Sequence, residues 1–226
     1  MSAAGAVLFA VLLVADLTSS APARLQLPRV SGAQSASVAA GPLGGRWDVA
    51  KGSQVGYRVY EILFGFHHVA VGRTSRVTGG LVISGSQVVA ADFTVAMATV
   101  QSGVAGRDVT WRDFIMNTGR YPHASFRLTR AIDIGRTPRI GQVVRDQAVG
   151  ELTIRGVTRS VRFVIAGERL TVGTLDLQAA IPITFSEWHI PNPSFAVAKV
   201  GRSGTLELLL HLDRDASAAG GGRSAG

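Results

Sequence analysis

Leu206, Leu208, Leu210 and Leu212 alternate with other residues near the end of this chain, and Leu175, Leu177, Ala179, Ile181, Ile183 and Phe185 alternate in the same way before them. A period of two places every second side chain on one face of an extended strand. The pattern recurs at Val55, Tyr57 and Val59, at Ala91, Phe93, Val95, Met97 and Thr99 within residues 88–100, at Phe126, Leu128, Ile132 and Ile134, at Ala148, Gly150, Leu152 and Ile154, and at Val161, Phe163 and Ile165. Roughly eight strands result. A strand longer than ten residues spans roughly 33 Å and must bury its apolar face along that whole length. Too little of the chain has a helical period to cover an open sheet. An antiparallel up-and-down barrel that turns its apolar face inward satisfies every strand at once. Pro182 lies inside one of these runs and marks an edge, a bulge or a strand end there.

The period breaks once, between residues 106 and 126. Val109, Arg112 and Asp113 with Trp111, Phe114 and Ile115 fit about two helical turns, and Tyr121-Pro122 restores an extended chain. The spacing predicts a short helical insert over 107–118, with Trp111, Phe114 and Ile115 closing one end of the barrel. Arg107, Asp108, Arg112, Asp113 and Arg120 lie beside these aromatics. Two readings of that cluster stand side by side. One is a solvated helix with i,i+4 ion pairs and Asp108 capping the N–H groups of Thr110 or Trp111. The other is a ligand mouth in which Arg107 and Arg112 receive a polar head, for which the planar guanidinium fork is suited.

Composition narrows the chemistry. Hydrophobic residues make up 46% of the chain, enough for a substantial core, and 27 glycines suit a fold with many turns. The net charge of +8 favours anionic surfaces. The basic residues are nearly all Arg, Lys51 and Lys199 excepted, and they are dispersed without a basic stripe interleaved with aromatics. That distribution argues against nucleic-acid binding. With no cysteine there is no disulfide, thiol catalysis or thiolate metal site. His67-His68 is the most tempting metal pair, but neighbours on a strand point to opposite faces. His189 and His211 have no metal-ligand spacing. Ser84 and Ser86 lack the G-x-S-x-G frame of a nucleophile elbow. Neither catalysis nor a cofactor is called for.

Residues 1–23 have the form of a secretory signal. Residues 3–15 are an apolar run too short to span a bilayer comfortably, and Ala21-Pro22-Ala23 offers a small-x-small cleavage pattern. An uncleaved membrane tether is the alternative. Residues 24–45, rich in Ala, Ser, Gly and Pro, read as a disordered linker without chemistry, and residues 215–226 as a similar tail. The folded domain is expected over 46–214.

Within that span, short motifs follow one another in a recognisable order. Trp47-Asp48-Val49 opens the series, followed by Val55-x-Tyr57-x-Val59, Thr99 to Ser102, Arg107-Asp108, Ile115-Met116 and Tyr121-Pro122-x-x-x-Phe126. The most specific is Gly150-Glu151-Leu152-Thr153-Ile154-Arg155-Gly156-Val157-Thr158, and Glu187-Trp188-x-Ile190 comes late. On these residues, most of 47–212 resembles the YceI-like family of polyisoprenoid-binding proteins. The resemblance implies a lipocalin-like barrel, usually exported, that holds a long isoprenoid or similar amphiphile and performs no catalysis. Glu61 stands where the family often has His, and Thr74 and Val77 replace phenylalanines.

The combined expectation is an exported barrel that binds a lipid-like tail along Tyr57, Val59, Phe93, Val95, Met97, Phe126, Leu128, Leu152, Ile154, Phe163, Leu177 and Ile181, with Arg107, Trp111 and Ile115 at the mouth. Contact with an anionic membrane surface and a homodimer are further candidate associations. The alternative is a barrel packed solid, without ligand, that acts as an envelope interaction or stress-response module.

Overall fold

The computed structural model describes residues 21–28, 41–194 and 197–215. Twelve strands appear in chain order: β1 (Gly45–Val49), β2 (Gln54–Leu63), β3 (Phe66–Thr74), β4 (Val77–Ser84), β5 (Gln87–Ala96), β6 (His123–Leu128), β7 (Ile132–Asp133), β8 (Val143–Ile154), β9 (Val157–Arg169), β10 (Thr174–Thr184), β11 (Ala198–Val200) and β12 (Ser203–Arg214). Helix α1 (Ala105–Thr110) runs into a π-helical turn, Trp111–Ile115. The order β1-β4-β5-β6-β8-β9-β10-β12 closes by antiparallel pairing of β12 with β1, giving an eight-stranded barrel with one short helical insert. Period two thus delivers the expected architecture: odd positions of β2, β9 and β10 and even positions of β8 and β12 turn inward.

The barrel is tight at one end and splayed at the other. β12 pairs with β1 through Leu212, Asp213 and Arg214, and with β2 from Thr205 to Leu209. Between them the chain kinks at Gly52, whose φ of +93° suits glycine. Ala50 N–H donates to His211 O across the kink. β1 goes on to pair with β4, whereas β2 pairs with β3, so the β2–β3 hairpin flares away from β4 and β5. The insert 97–118 covers the resulting gap, tied by the Arg73–Gln101 bridge, in which each N–H donates to the other residue's carbonyl oxygen. At the tight end Trp47, fully buried, donates Nε1–H to Leu43 O at 2.9 Å and packs with Leu81, Leu175 and Leu212.

Several sequence expectations need correction. The strand expected over 88–100 stops at Ala96. Met97–Thr99 forms a 3₁₀ turn, held by Thr99 Oγ1 donating to Ala96 O and Met97 N–H to Pro122 O. The run expected over 126–134 breaks after Leu128, where Thr129 and Arg130 N–H groups both turn to Val149 O. Pro182 lies within β10, beyond Ala179, where pairing with β9 has ended, so its missing N–H breaks no ladder bond on that side.

The reading of 24–45 as a disordered linker fails for its described parts. Leu43 is core, and residues 21–28 lie along the outside of β2, β3 and β12 with Leu25 buried. Pro22 O accepts from Arg58 at 2.6 Å, Ala23 O accepts from Arg73, and Arg24 reaches Glu207. One leucine in a small-residue stretch was too weak a periodic signal, and the outward polar groups it covers look solvated in sequence. Residues 1–20, which hold most of the expected signal, lie outside the described residues, as do 29–40 and 216–226.

Candidate functional site

The inner faces of the strands do not meet in the splayed half of the barrel. They leave a cavity of about 230 Å³, against the ~10–15 Å³ that a single water needs on the same measure. Its wall is aliphatic and aromatic. β2 contributes Tyr57, Val59 and Leu63, β5 contributes Phe93 and Val95, and β6 contributes Phe126. Leu152 and Ile154 come from β8, Phe163 and Ile165 from β9, Ile181 and Ile183 from β10, and Leu206, Leu208 and Leu210 from β12. Phe93 and Phe126 face each other in register, and Phe126 meets Phe163 edge-on at 5.4 Å between ring centroids. Phe93, Val95 and Phe126 remain only half-buried although they point inward, because the space before them is open.

The insert forms the last part of the wall. Trp111 stacks on Tyr57 and donates Nε1–H to Met97 O at 3.3 Å. Ile115 and Met116 turn inward beside it. Polar atoms gather at this end. Glu61, buried on β2, accepts from Arg107 Nη2 at 2.8 Å and lies 2.9 Å from His68 Nδ1. Burying this carboxylate is tolerable because a guanidinium and an imidazole satisfy it. The cavity is therefore an apolar sleeve. It is packed shut by Trp47 and Leu212 at one end and lined with Glu61, Arg107 and Thr110 at the other.

Of the residues expected at a ligand, Tyr57, Val59, Phe93, Val95, Met97, Arg107, Trp111, Ile115, Phe126, Leu152, Ile154, Phe163 and Ile181 line this cavity. Leu128 and Leu177 do not. They lie closer to the tight end, where facing side chains already meet, and pack against the core. Phe114, expected to close the barrel, is 56% exposed. The π-helical turn widens the helix, so Trp111 and Ile115 face inward and Phe114 swings out. Asp108 does not cap Thr110 or Trp111. The helix begins at Ala105, and Asp108 Oδ1 instead accepts from Ser102 N–H and Oγ–H at 2.8 and 2.7 Å. Arg107 pairs across the barrel with Glu61 rather than along its helix, and Arg112 lies outside the cavity wall.

Sequence reasoning passed over Leu63, Ile165, Ile183, Leu206, Leu208 and Leu210, although all obey the parity that selected their neighbours. It also passed over Ile190, Pro191 and Pro193, which belong to a loop without a period, and Ala198, which opens the three-residue strand β11. His67 is exposed while His68 turns to Glu61. Among the described residues, no group of three His, Asp or Glu side chains could hold a metal ion. No helix among them is long and apolar enough to cross a membrane.

A family model for the YceI-like domain matches residues 47–212. The chain belongs to the YceI-like family. No curated protein sequence matches it significantly. Solved structures resemble this YceI-like barrel at low identity. A polyisoprenoid-binding domain from Saccharophagus degradans, implicated in plant cell wall breakdown, matches with a TM-score of 0.61 at 15% identity, over 76% of this chain and 99% of its own. BcnA of Burkholderia cenocepacia matches with 0.52 at 15% identity, over 69% and 95%. The YCEI protein of Campylobacter jejuni matches with 0.53 at 15% identity, over 64% and 84%. At such identity these likenesses establish the YceI-like fold and leave the contents of the cavity to its own chemistry.

Proposed function

We propose that this YceI-like protein binds a long isoprenoid or similar lipid-like amphiphile inside the barrel, carries or sequesters it, and does so as an exported protein without catalysing a reaction. One observation carries the reading: a cavity of about 230 Å³ walled almost wholly by apolar side chains, with Glu61 and Arg107 at one end and Glu207, midway along β12, the other charged residue of its lining. A hydrocarbon tail fits the sleeve, and a polar head fits beside Glu61 and Arg107. Burial of ten tail carbons contributes about 8 kcal/mol at ~0.8 kcal/mol per CH₂, more than the ~1.5–3 kcal/mol of a hydrogen bond to a charged head. The polyisoprenoid-binding domain of Saccharophagus degradans, which shares the fold, is consistent with this cargo class. Export rests on the signal-like form of residues 1–23. A solid barrel acting only through its surface would need an interior filled by side chains, and the open space between Phe93, Phe126 and Leu206 speaks against it.

Native mass spectrometry of protein purified from its own host, without added lipid, tests the reading. The expected result is a co-purifying mass that extracts into organic solvent and is lost in Val95→Trp, a substitution that fills the sleeve. Clean apo protein that also refuses long-chain isoprenoids would overturn it.

A further inference from the structure

Tyr60, Phe64, Phe66 and Phe114 are the exposed large aromatic side chains among the described residues, at 64, 40, 68 and 56% exposure. All four lie at the splayed end of the barrel. Tyr60, Phe64 and Phe66 belong to the β2–β3 hairpin and Phe114 to the insert. The hairpin is also part of the cavity rim, for Leu63 lines the cavity between its register partners Phe66 and Ala198. Isolated exposed apolar residues need no explanation, but four aromatics gathered at one end do.

The turn adds a second observation. Phe64 has a φ of +50° and Gly65 a φ of +86°, the geometry of a two-residue hairpin turn that favours Asn-Gly. A phenylalanine there is backbone-strained as well as exposed, and a side chain kept under both penalties points to a use for it. The charges around the tip are a third. Glu61 is buried against Arg107 and His68, while Lys199, which pairs with Ile62, and Arg202 are exposed. Asp113, beside Phe114, and Glu187, two residues beyond the Phe185 N–H that donates to Arg202 O, are the exposed acidic residues at this end.

We propose that the β2–β3 hairpin docks the barrel on a lipid bilayer, inserting Phe64 and Phe66 into the headgroup–acyl boundary and setting Tyr60 at the interface. Aromatic side chains flanked by cations suit that layer, where apolar rings are buried while polar tips stay wet. A narrow tip of β2 and β3, with the short β11 alongside β2, enters lipid readily but offers little of the broad surface that a stable protein interface needs. Docked in this way, the cavity rim faces the phase from which a hydrocarbon tail would come. This part rests on the lipid-binding reading above; the docking itself does not.

Phe64→Asn combined with Phe66→Ser tests it. Neither residue lines the cavity, and Asn suits the turn, so the variant should melt no lower than the parent. Flotation with phosphatidylcholine vesicles, and with vesicles enriched in phosphatidylglycerol, reads docking. Displacement of a fluorescent fatty probe in solution reads cargo uptake separately. The parent should float with vesicles, more strongly on the anionic ones, and the variant should lose about tenfold or more in vesicle partition while taking up probe like the parent. A parent that floats with neither vesicle, or a variant that floats equally well, overturns the proposal whatever the probe shows. A parent that floats but refuses the probe sinks the cargo reading and leaves docking standing. If sedimentation velocity gives a dimer that the variant abolishes, without vesicle binding by either, the tip meets a second copy and the bilayer proposal falls.

Discussion

The rings of Tyr57 and Trp111 stack with centroids 4.4 Å apart and planes 15° from parallel. This contact joins the wall of the barrel to the insert that covers its gap. It exists because β3 places Gly72 opposite Tyr57, where a Cβ would overlap the ring. Trp111→Ala should cost about 2–3 kcal/mol, less than the ~3–5 of a fully buried Trp because Trp111 is half-buried. Gly72→Ala should cost about 1–3 kcal/mol by displacing the same ring. Urea titrations of the single and double variants check this. The double variant should lose less than the sum, since both changes break one contact.

Glu207 anchors a different cluster, on the outside of the barrel. It is buried, accepts from Arg58 Nε at 2.7 Å, and lies 3.4 Å from Arg24 and 3.6 Å from Arg73. Glu207→Ala should cost about 3–5 kcal/mol, because Arg58 would stay buried without its carboxylate. Arg24 is half exposed, so Arg24→Ala should cost no more than about 1 kcal/mol. Denaturant titration separates the two. Equal effects would show that the buried pair is not what secures this face.

Parity made the barrel and most of the cavity wall legible in advance. An inward row such as Leu152–Ile154 or Leu206–Leu210 has to face something apolar whatever the pairing order. Three features did not show through. The split of β12 between β1 and β2 depends on a kink at Gly52, one glycine among many. The exposure of Phe114 comes from a π-helical turn, and a period of 3.6 cannot reveal it. The Arg58–Glu207 pair occupies outward positions that a two-sided pattern assigns to solvent, and it is buried because residues 21–28 pass over it. A local backbone irregularity decides the first two and a non-local contact the third, and alternation carries no trace of either.

An open, water-accessible sleeve predicts a particular dependence on cargo length. Each added carbon that enters it should raise affinity about fourfold, until the sleeve is full. A displacement titration across a series of straight-chain alcohols measures the slope and where it breaks. Val95→Trp should move the break to shorter chains without changing the slope before it. Affinity independent of chain length would place the tail outside the barrel.

Glu168 on β9 lies directly opposite Asp176 on β10, and both carboxylates are buried. Asp176 Oδ1 lies 2.6 Å from His211 Nδ1, while Glu168 Oε2 has no hydrogen-bond partner among the described residues. Burial first, and the neighbouring Asp176 charge second, raise the Glu168 pKa above the ordinary carboxylate range. A raised carboxyl pKa means that the native state holds a proton the unfolded chain has already released. Stability contributed by this group therefore falls as pH rises from the unfolded pKa through the folded one. Glu168→Gln keeps the shape without the charge. It should melt about 2–4 °C higher than the parent at neutral pH, the equivalent of ~1 kcal/mol in a domain of this size. Below the ordinary carboxylate range, where both forms are neutral at this position, the difference should vanish. Melting curves of the two proteins across that window give the result as a difference, in which the slopes of all other groups cancel. A difference that stays constant with pH would mean that folding leaves the Glu168 pKa where it is in the unfolded chain, and a difference of the opposite slope would mean that Glu168 is charged and paired when folded.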